Sequence, residues 1–340
     1  MKHKLWLGIT LLSFCLHTSA ASFTPDNPAR IYMAVWRGCE EACQGFKQYL
    51  ESQNLPVELI LRDAARDKSN ITKYLAEARQ LKPDLVVTWG TSVSKGMIGP
   101  RSNSDSQQYL GDIPALFMVV ADPISAGIVE SYERSGRPQV TGVRNRVPED
   151  VQIRAIQDYM DAKRIGVIYN PSELNSALNT QKLEALSGTM EFELVKLSYQ
   201  LDEKGAPLEG QLPKLMEQMA DQQVDIIYVG SSSYNRQNRN EFTQAATAQK
   251  LPVASAYEVM VTKSDALLAV ANRYYNVGRL AAIQAEKVLF EEQQPGTLPI
   301  ASLSRYSVFI NMEIARKLNL YPPIQLLRFA ELVKTDRTNE

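Results

Sequence analysis

The sequence predicts an α/β protein made of two doubly wound, parallel-sheet lobes of similar size. Three observations lead there. Short apolar runs rich in β-branched residues alternate with helical patterns from residue 30 onward, and the alternation restarts near Arg164. The join around Gly142 to Pro148 holds no long Pro/Gly/Ser tract, which predicts a short structured hinge. A chain of 340 residues has room for two such lobes.

The first set of strands is predicted at Arg30–Trp36, Val57–Leu61, Leu85–Trp89, Ala115–Val120 and Val140–Val143. Between the first two, Ala42, Phe46, Tyr49 and Leu50 fall at i, i+4, i+7 and i+8 within Glu40–Gln53, one face of a helix. The second set is predicted at Arg164–Tyr169, Phe192–Leu197, Val224–Val229, Pro252–Ala256 and Leu267–Ala271. Helical patterns separate or follow these runs at Leu174–Ser187, Leu212–Ala220, Asn238–Gln249 and Asn276–Phe290. Strands joined through helices imply βαβ units and parallel pairing. No strand is followed by GxGxxG or GxxxxGK[ST], so nucleotide binding has no support and no cofactor is expected.

Residues 1–21 read as a cleavable signal peptide. Lys2, His3 and Lys4 form a basic start, Leu5–Leu16 is apolar, and Thr18-Ser19-Ala20-Ala21 supplies small residues for cleavage. The apolar stretch is shorter than the roughly 20 residues that a spanning helix needs. An exported, periplasmic protein is expected. Its removal takes both histidines, His3 and His17, with it. A chain without histidine cannot build a Ser-His-Asp or Cys-His hydrolase, a HExxH site or a His-ligated zinc centre, and no metal site is expected. It also keeps no side chain whose ordinary pKa lies between 6 and 8, so ligand affinity is expected to be flat across that range. The remaining 35 basic and 38 acidic residues are interspersed, with no basic run for nucleic acid.

In open α/β sheets, ligands bind at the carboxyl ends of strands. The residues there are Trp36 and Arg37, then Trp89, Thr91 and Ser92, then Asp122, all in the first set. The second set offers Asn170, Asn175 and Ser176, then Ser231, Ser232 and Ser233, then Arg273 and Tyr274. Each hydroxyl or amide can be a helix cap, yet the same positions expose N–H groups to an anion. Trp36 and Trp89 either close the core or form walls for a flat ligand group. Arg37 and Arg273 either make surface ion pairs or grip a carboxylate. Asp122 either caps a turn or holds an ammonium. Cys39 and Cys43, four apart, are close enough for a possible disulfide.

Several motifs, in order, carry a family resemblance. They are Ile113-Pro114-Ala115-Leu116-Phe117-Met118-Val119-Val120-Ala121-Asp122-Pro123 with Ala126-Gly127, and Val140-Thr141-Gly142-Val143. They continue with Arg164-Ile165-Gly166-Val167-Ile168-Tyr169-Asn170-Pro171 followed by Glu173 and Asn175-Ser176, and with Tyr274-Tyr275 before Gly278-Arg279. Together they resemble ABC-transporter substrate-binding proteins of the tryptophan/tyrosine-binding type, which have the type 1 periplasmic-binding fold. The resemblance implies two Rossmann-like lobes joined by a three-crossover hinge. Lobe one would be 30–143 plus part of 273–303, lobe two 144–272 plus part of 304–331, and 332–340 a polar tail. It also implies a ligand clamped between the lobes and a permease in the inner membrane as partner.

Against that pattern, Arg273 stands where amino-acid binders tend to carry an acid, and Ser231-Ser232-Ser233 where Thr-Asp-Asn is common. The change of sign predicts a carboxylate-bearing small molecule over a zwitterionic amino acid. The expected function is therefore the periplasmic solute-binding component of an ABC importer, a monomer and not an enzyme. A ligand-binding protein for a membrane sensor is the alternative; a carboxylate-based enzyme using Asp122 and Glu258 is the weaker one.

Overall fold

The computed structural model describes residues 23–103 and 108–334. The expected signal peptide and both histidines lie outside the described residues. So does the expected tail from residue 335 on. No helix of the described residues is long and apolar enough to cross a membrane.

Two sheets form two lobes. Lobe one begins β1 (Ala29–Val35), α1 (Glu41–Ser52), β2 (Val57–Asp63), α2 (Lys68–Leu81), β3 (Leu85–Trp89), α3 (Thr91–Met97), β4 (Ala115–Val120) and β5 (Val140–Arg144). The chain then crosses into lobe two through 145–148. There it builds α4 (Glu149–Tyr159), β6 (Arg164–Tyr169), α5 (Leu174–Ser187), β7 (Glu193–Ser198), α6 (Leu212–Asp221) and β8 (Ile226–Val229). It continues with α7 (Ser233–Gln237), α8 (Arg239–Ala248), β9 (Val253–Ser255), α9 (Val259–Thr262) and β10 (Leu268–Ala271). A second crossing leads to α10 (Tyr274–Leu289) and β11 (Ala301–Ser302), which return to lobe one. A third leads back to β12 (Ser307–Asn311), α11 (Met312–Leu318), α12 (Ile324–Leu327) and β13 (Ala330–Val333). The hinge therefore has three crossovers.

The lobe-one sheet has order β11-β5-β4-β3-β1-β2, parallel throughout. Its central strands are continuous apolar runs because both faces are covered. Ile31, Met33 and Val35 pack on the side of α1 and α10, while Tyr32 and Ala34 pack on the side of α2 and α3. The lobe-two sheet has order β13-β12-β10-β9-β8-β6-β7. It departs from the predicted parallel pattern once: β12 pairs antiparallel with β10, Leu268 opposite Ile310. The cause is the third crossover, which brings the chain back to the sheet from the hinge end. Strand β13 also takes Leu332 and Val333, so the expected tail is partly sheet.

Helix α10 is held on α1 by two glycines. A Cβ at Gly278 would lie 1.8 Å from the Ala42 carbonyl oxygen, and one at Gly45 would lie 2.1 Å from that of Tyr275. Neither backbone can yield without breaking the helix contact. In an exposed helix alanine is better than glycine by about 1 kcal/mol; here the clash reverses that preference. Gly278→Ala is expected to destabilise the protein by about 2–4 kcal/mol in urea unfolding. Gly188→Ala, where a Cβ meets nothing within 4 Å, is the matched control and should be near neutral.

Candidate functional site

The carboxyl ends of both sheets face each other across one cleft. Lobe one contributes Trp36 and Arg37 after β1, Gly90, Thr91 and Ser92 after β3, and Val119 and Ala121 at the end of β4. Lobe two contributes Asn175 on α5, Ser231 and Ser233 after β8, and Tyr257 after β9. Asn145 and Tyr274 come from the crossovers. The cavity enclosed among them is about 30 Å³, the size of a water-scale gap between closed lobes. Two backbone features shape its lobe-one wall. Gly90 turns at φ +95° with Trp36 Cβ close against the space a side chain would fill. Val119 sits at φ +55°, strained for a β-branched residue, where the register of β4 slips against β5.

Arg37 is the centre of the cleft. It is buried, with its guanidinium 4.6 Å over the Trp89 ring. Its Nε donates to Glu40 Oε1 at 2.9 Å and its Nη1 donates across the cleft to Ser233 Oγ at 2.8 Å. A second arginine crosses the other way. Arg236, on α7 of lobe two and 8% exposed, donates to Glu40 at 2.8 Å and to Glu41 at 3.0 Å on lobe one. Two arginines and two glutamates thus tie the lobes together. The disulfide Cys39–Cys43, with Cα atoms 5.0 Å apart, staples the turn that carries both glutamates.

Two buried polar atoms of the lining residues have no hydrogen-bond partner among the described residues: Trp89 Nε1, a donor, and Asn145 Oδ1, an acceptor. Buried polar atoms are normally paired, so a donor and an acceptor left open in one cleft suit a ligand with both. The Asn145 amide is held in place by donating to the Tyr274 hydroxyl at 3.1 Å. Behind it, the fully buried Arg146 donates to the Gly230 carbonyl at 3.0 Å and lies 5.7 Å from the Tyr257 ring.

The structure gathers Trp36, Arg37, Trp89, Thr91, Ser92, Asn175, Ser231, Ser233 and Tyr274 around the cavity. Asp122 lines a small adjoining cavity with Thr91 and Asn175, and its oxygens accept from Ser125 N and Oγ at 2.9 and 2.7 Å. Three other candidates build the loops behind the wall. Asn170 Oδ1 accepts from Ser172 N at 3.0 Å, and Ser176 Oγ accepts from Asn170 N at 3.1 Å. Ser232 caps α7 through Asn235 N and donates to Glu173.

Arg273 requires a correction: it does not face the cleft. Its half-exposed guanidinium pairs with Glu331 and lies 5.2 Å from the Phe309 ring. It precedes the first turn of α10, and the turn that sends Tyr274 inward sends its neighbour outward. The argument for an anionic ligand therefore passes from Arg273 to Arg37. Asn145 and Tyr257 escaped the sequence reading although both follow strands, so the same strand-end rule reaches them. Arg236 lies inside a short helix, where sequence position gives no such signal.

One carboxylate is shifted into the pH 6–8 window that the ordinary side-chain values leave empty. Glu258 sits at the back of the cleft with Glu41, Arg236, Tyr257 and Tyr274, and its Oε2 has no partner among the described residues. Burial, helped by Glu41 and Glu331 and opposed by Arg273, pushes its carboxyl up to about 7.

The family model described as "ABC transporter substrate binding protein" matches residues 37–334. The chain is 27% identical to the tyrosine-binding protein of Clostridioides difficile (strain R20291), over 92% of this chain and 90% of that one. Among solved structures, a conserved domain protein from Vibrio cholerae aligns with TM-score 0.77 at 21% identity, covering 90% of this chain and 99% of that one. The ABC domain in complex with L-Trp from Streptococcus pneumonia aligns with TM-score 0.76 at 20% identity, with the same coverage. These alignments establish the type 1 periplasmic-binding architecture.

Two outcomes follow from the charges. Above its ordinary value of 4.5 an unfolded Glu258 is ionised, whereas the folded protein keeps the proton up to about 7. Stability contributed by the protonated form is full below 4.5, falls as pH rises to about 7, and is flat beyond. Glu258→Gln should therefore raise stability at pH 8 by ~1–3 kcal/mol and leave it little changed at pH 4 in urea titrations. Arg236→Met keeps the volume but leaves Glu40 with Arg37 alone and takes from Glu41 its cross-cleft partner, at a cost of about 1–3 kcal/mol to the closed state. Small-angle scattering should show a larger radius of gyration for that variant.

Proposed function

The chain belongs to the ABC transporter substrate-binding protein family, and on that premise we propose that it clamps a small carboxylate-bearing molecule between its lobes for an importer in the inner membrane. The observation that carries the reading is Arg37. A buried guanidinium anchored on lobe one, with an N–H aimed at Ser233 of lobe two, is placed where a ligand carboxylate can join both lobes. Entering between Arg37 and Ser233, the carboxylate replaces one cross-cleft bond with a bidentate pair and keeps contact with the serine hydroxyls.

The body of the ligand lies between Trp36, Trp89 and Tyr257, which suits a flat or apolar group. Trp89 Nε1 and Asn145 Oδ1 supply one donor and one acceptor for its polar edge. Asp122, one cavity away beside Thr91 and Asn175, is available to an ammonium. Aromatic amino acids meet all these demands, their deaminated acids meet all but the ammonium, and the names of the tyrosine-binding relative and of the L-Trp complex agree with that class. The ligand adds to the cross-cleft ion pairs: it binds the shut state better than the open one and shifts the population accordingly. No bond in the ligand is changed. The protein acts as an exported monomer in the periplasm, without cofactor, and hands its load to a permease.

Trp36 and Trp89 make fluorescence the natural readout. L-tyrosine and 4-hydroxyphenylacetate are expected to bind, and tyramine, which lacks the carboxylate, to bind at least tenfold more weakly. Arg37→Ala should lose about a hundredfold in affinity, and Arg273→Ala should match the wild type. Equal affinity for tyramine, together with an unaffected Arg37→Ala, sinks the reading.

A further inference from the structure

We propose a second, anion-binding subsite at the lip of the cleft, which extends the ligand class to molecules carrying an additional carboxylate or phosphate. This rests on the functional reading above for the first subsite only. The lip groove has a volume of about 460 Å³, in the range of small-molecule sites, whereas the closed cleft proper has about 30 Å³. Lys68 and Thr72 of α2 and Lys95 of α3 line its lobe-one side, and Ser172 and Leu174 its lobe-two side. Thr91 and Ser92 line both the groove and the cleft, so the two spaces are continuous.

The lining is cationic. Neither lysine has an ion-pair partner among the described residues, and no acid lines the groove. The nearby acids are engaged elsewhere: Glu173, between Ser172 and Leu174, turns its carboxylate to Ser232 and Ser233. Asp67 turns its own to the Ser69 N–H at 2.8 Å. Ile71 and Leu174 give the groove an apolar floor, and Gly96 lets Ile71 fill it, since a Cβ there would lie 2.6 Å from Ile71 Cγ2. Two unpaired ammonium groups and several hydroxyls over an apolar floor fit a carboxylate or phosphate on a short apolar stem.

The test titrates the wild type and the Lys68→Gln/Lys95→Gln double variant with L-tyrosine, L-tyrosyl-L-glutamate and inorganic pyrophosphate. Calorimetry reports affinity, and amide NMR shifts at Thr72, Lys95 and Ser172 report occupancy of the groove. The double variant should keep wild-type affinity for L-tyrosine, lose about tenfold for the dipeptide, and lose saturable pyrophosphate shifts. Loss of the dipeptide alone marks a tethered anion, and loss of pyrophosphate alone a free one; both support the subsite. Equal behaviour of the two proteins toward both acidic probes overturns it, whether or not L-tyrosine binds. Lysine-dependent pyrophosphate binding without L-tyrosine binding keeps the subsite and removes the reading of the cleft.

Discussion

The arrangement of the two lobes depends on four charges. Arg37 and Arg236 reach across the cleft in opposite directions and share Glu40, with Glu41 completing the set. Desolvating such groups is expensive, and the geometry offsets it only while all partners are present. The network is therefore a condition as much as a bond. It is satisfied when the lobes are closed and exposes charge to water when they part, which makes opening tolerable and a half-open state poor. The α1 turn that bears both glutamates is stapled by Cys39–Cys43, so the acceptors are positioned before the second lobe arrives.

Much of this was legible in the residues. Parallel strands with both faces covered must read as unbroken apolar runs, and β1, β3, β4 and β6 were found within a residue of where those runs lie. Strand ends are equally plain, which is why the sequence alone points to Trp36, Arg37, Thr91, Ser92 and Ser231. What periodicity cannot carry is direction. Arg273 and Tyr274 are neighbours at a helix start, and the turn between them decides which enters the cleft. A strand end marks the place; backbone torsion assigns the side chain.

Long-range pairing was the other blind spot. The antiparallel step between β10 and β12 depends on how the third crossover returns to the sheet, a fact of topology with no local pattern behind it. Glu258 shows the same limit in electrostatics. Its composition class says an ordinary carboxylate, and only the burial and the facing Glu41 make it otherwise. Arg236 completes the list, for its importance lies in acids nearly 200 positions away in the chain, on the other lobe.

The return of α10 and β11 to the first lobe bears on how the protein is made. Until residue 302 has been synthesised, the sheet of lobe one lacks its outer strand, and α1 lacks the helix whose glycine seats it. A ribosome thus passes residue 302 before lobe one can close its core, and passes β13 before lobe two can. The pairing that completes the first lobe is thus among the longest-range in the fold, and a chain built this way folds its first lobe late.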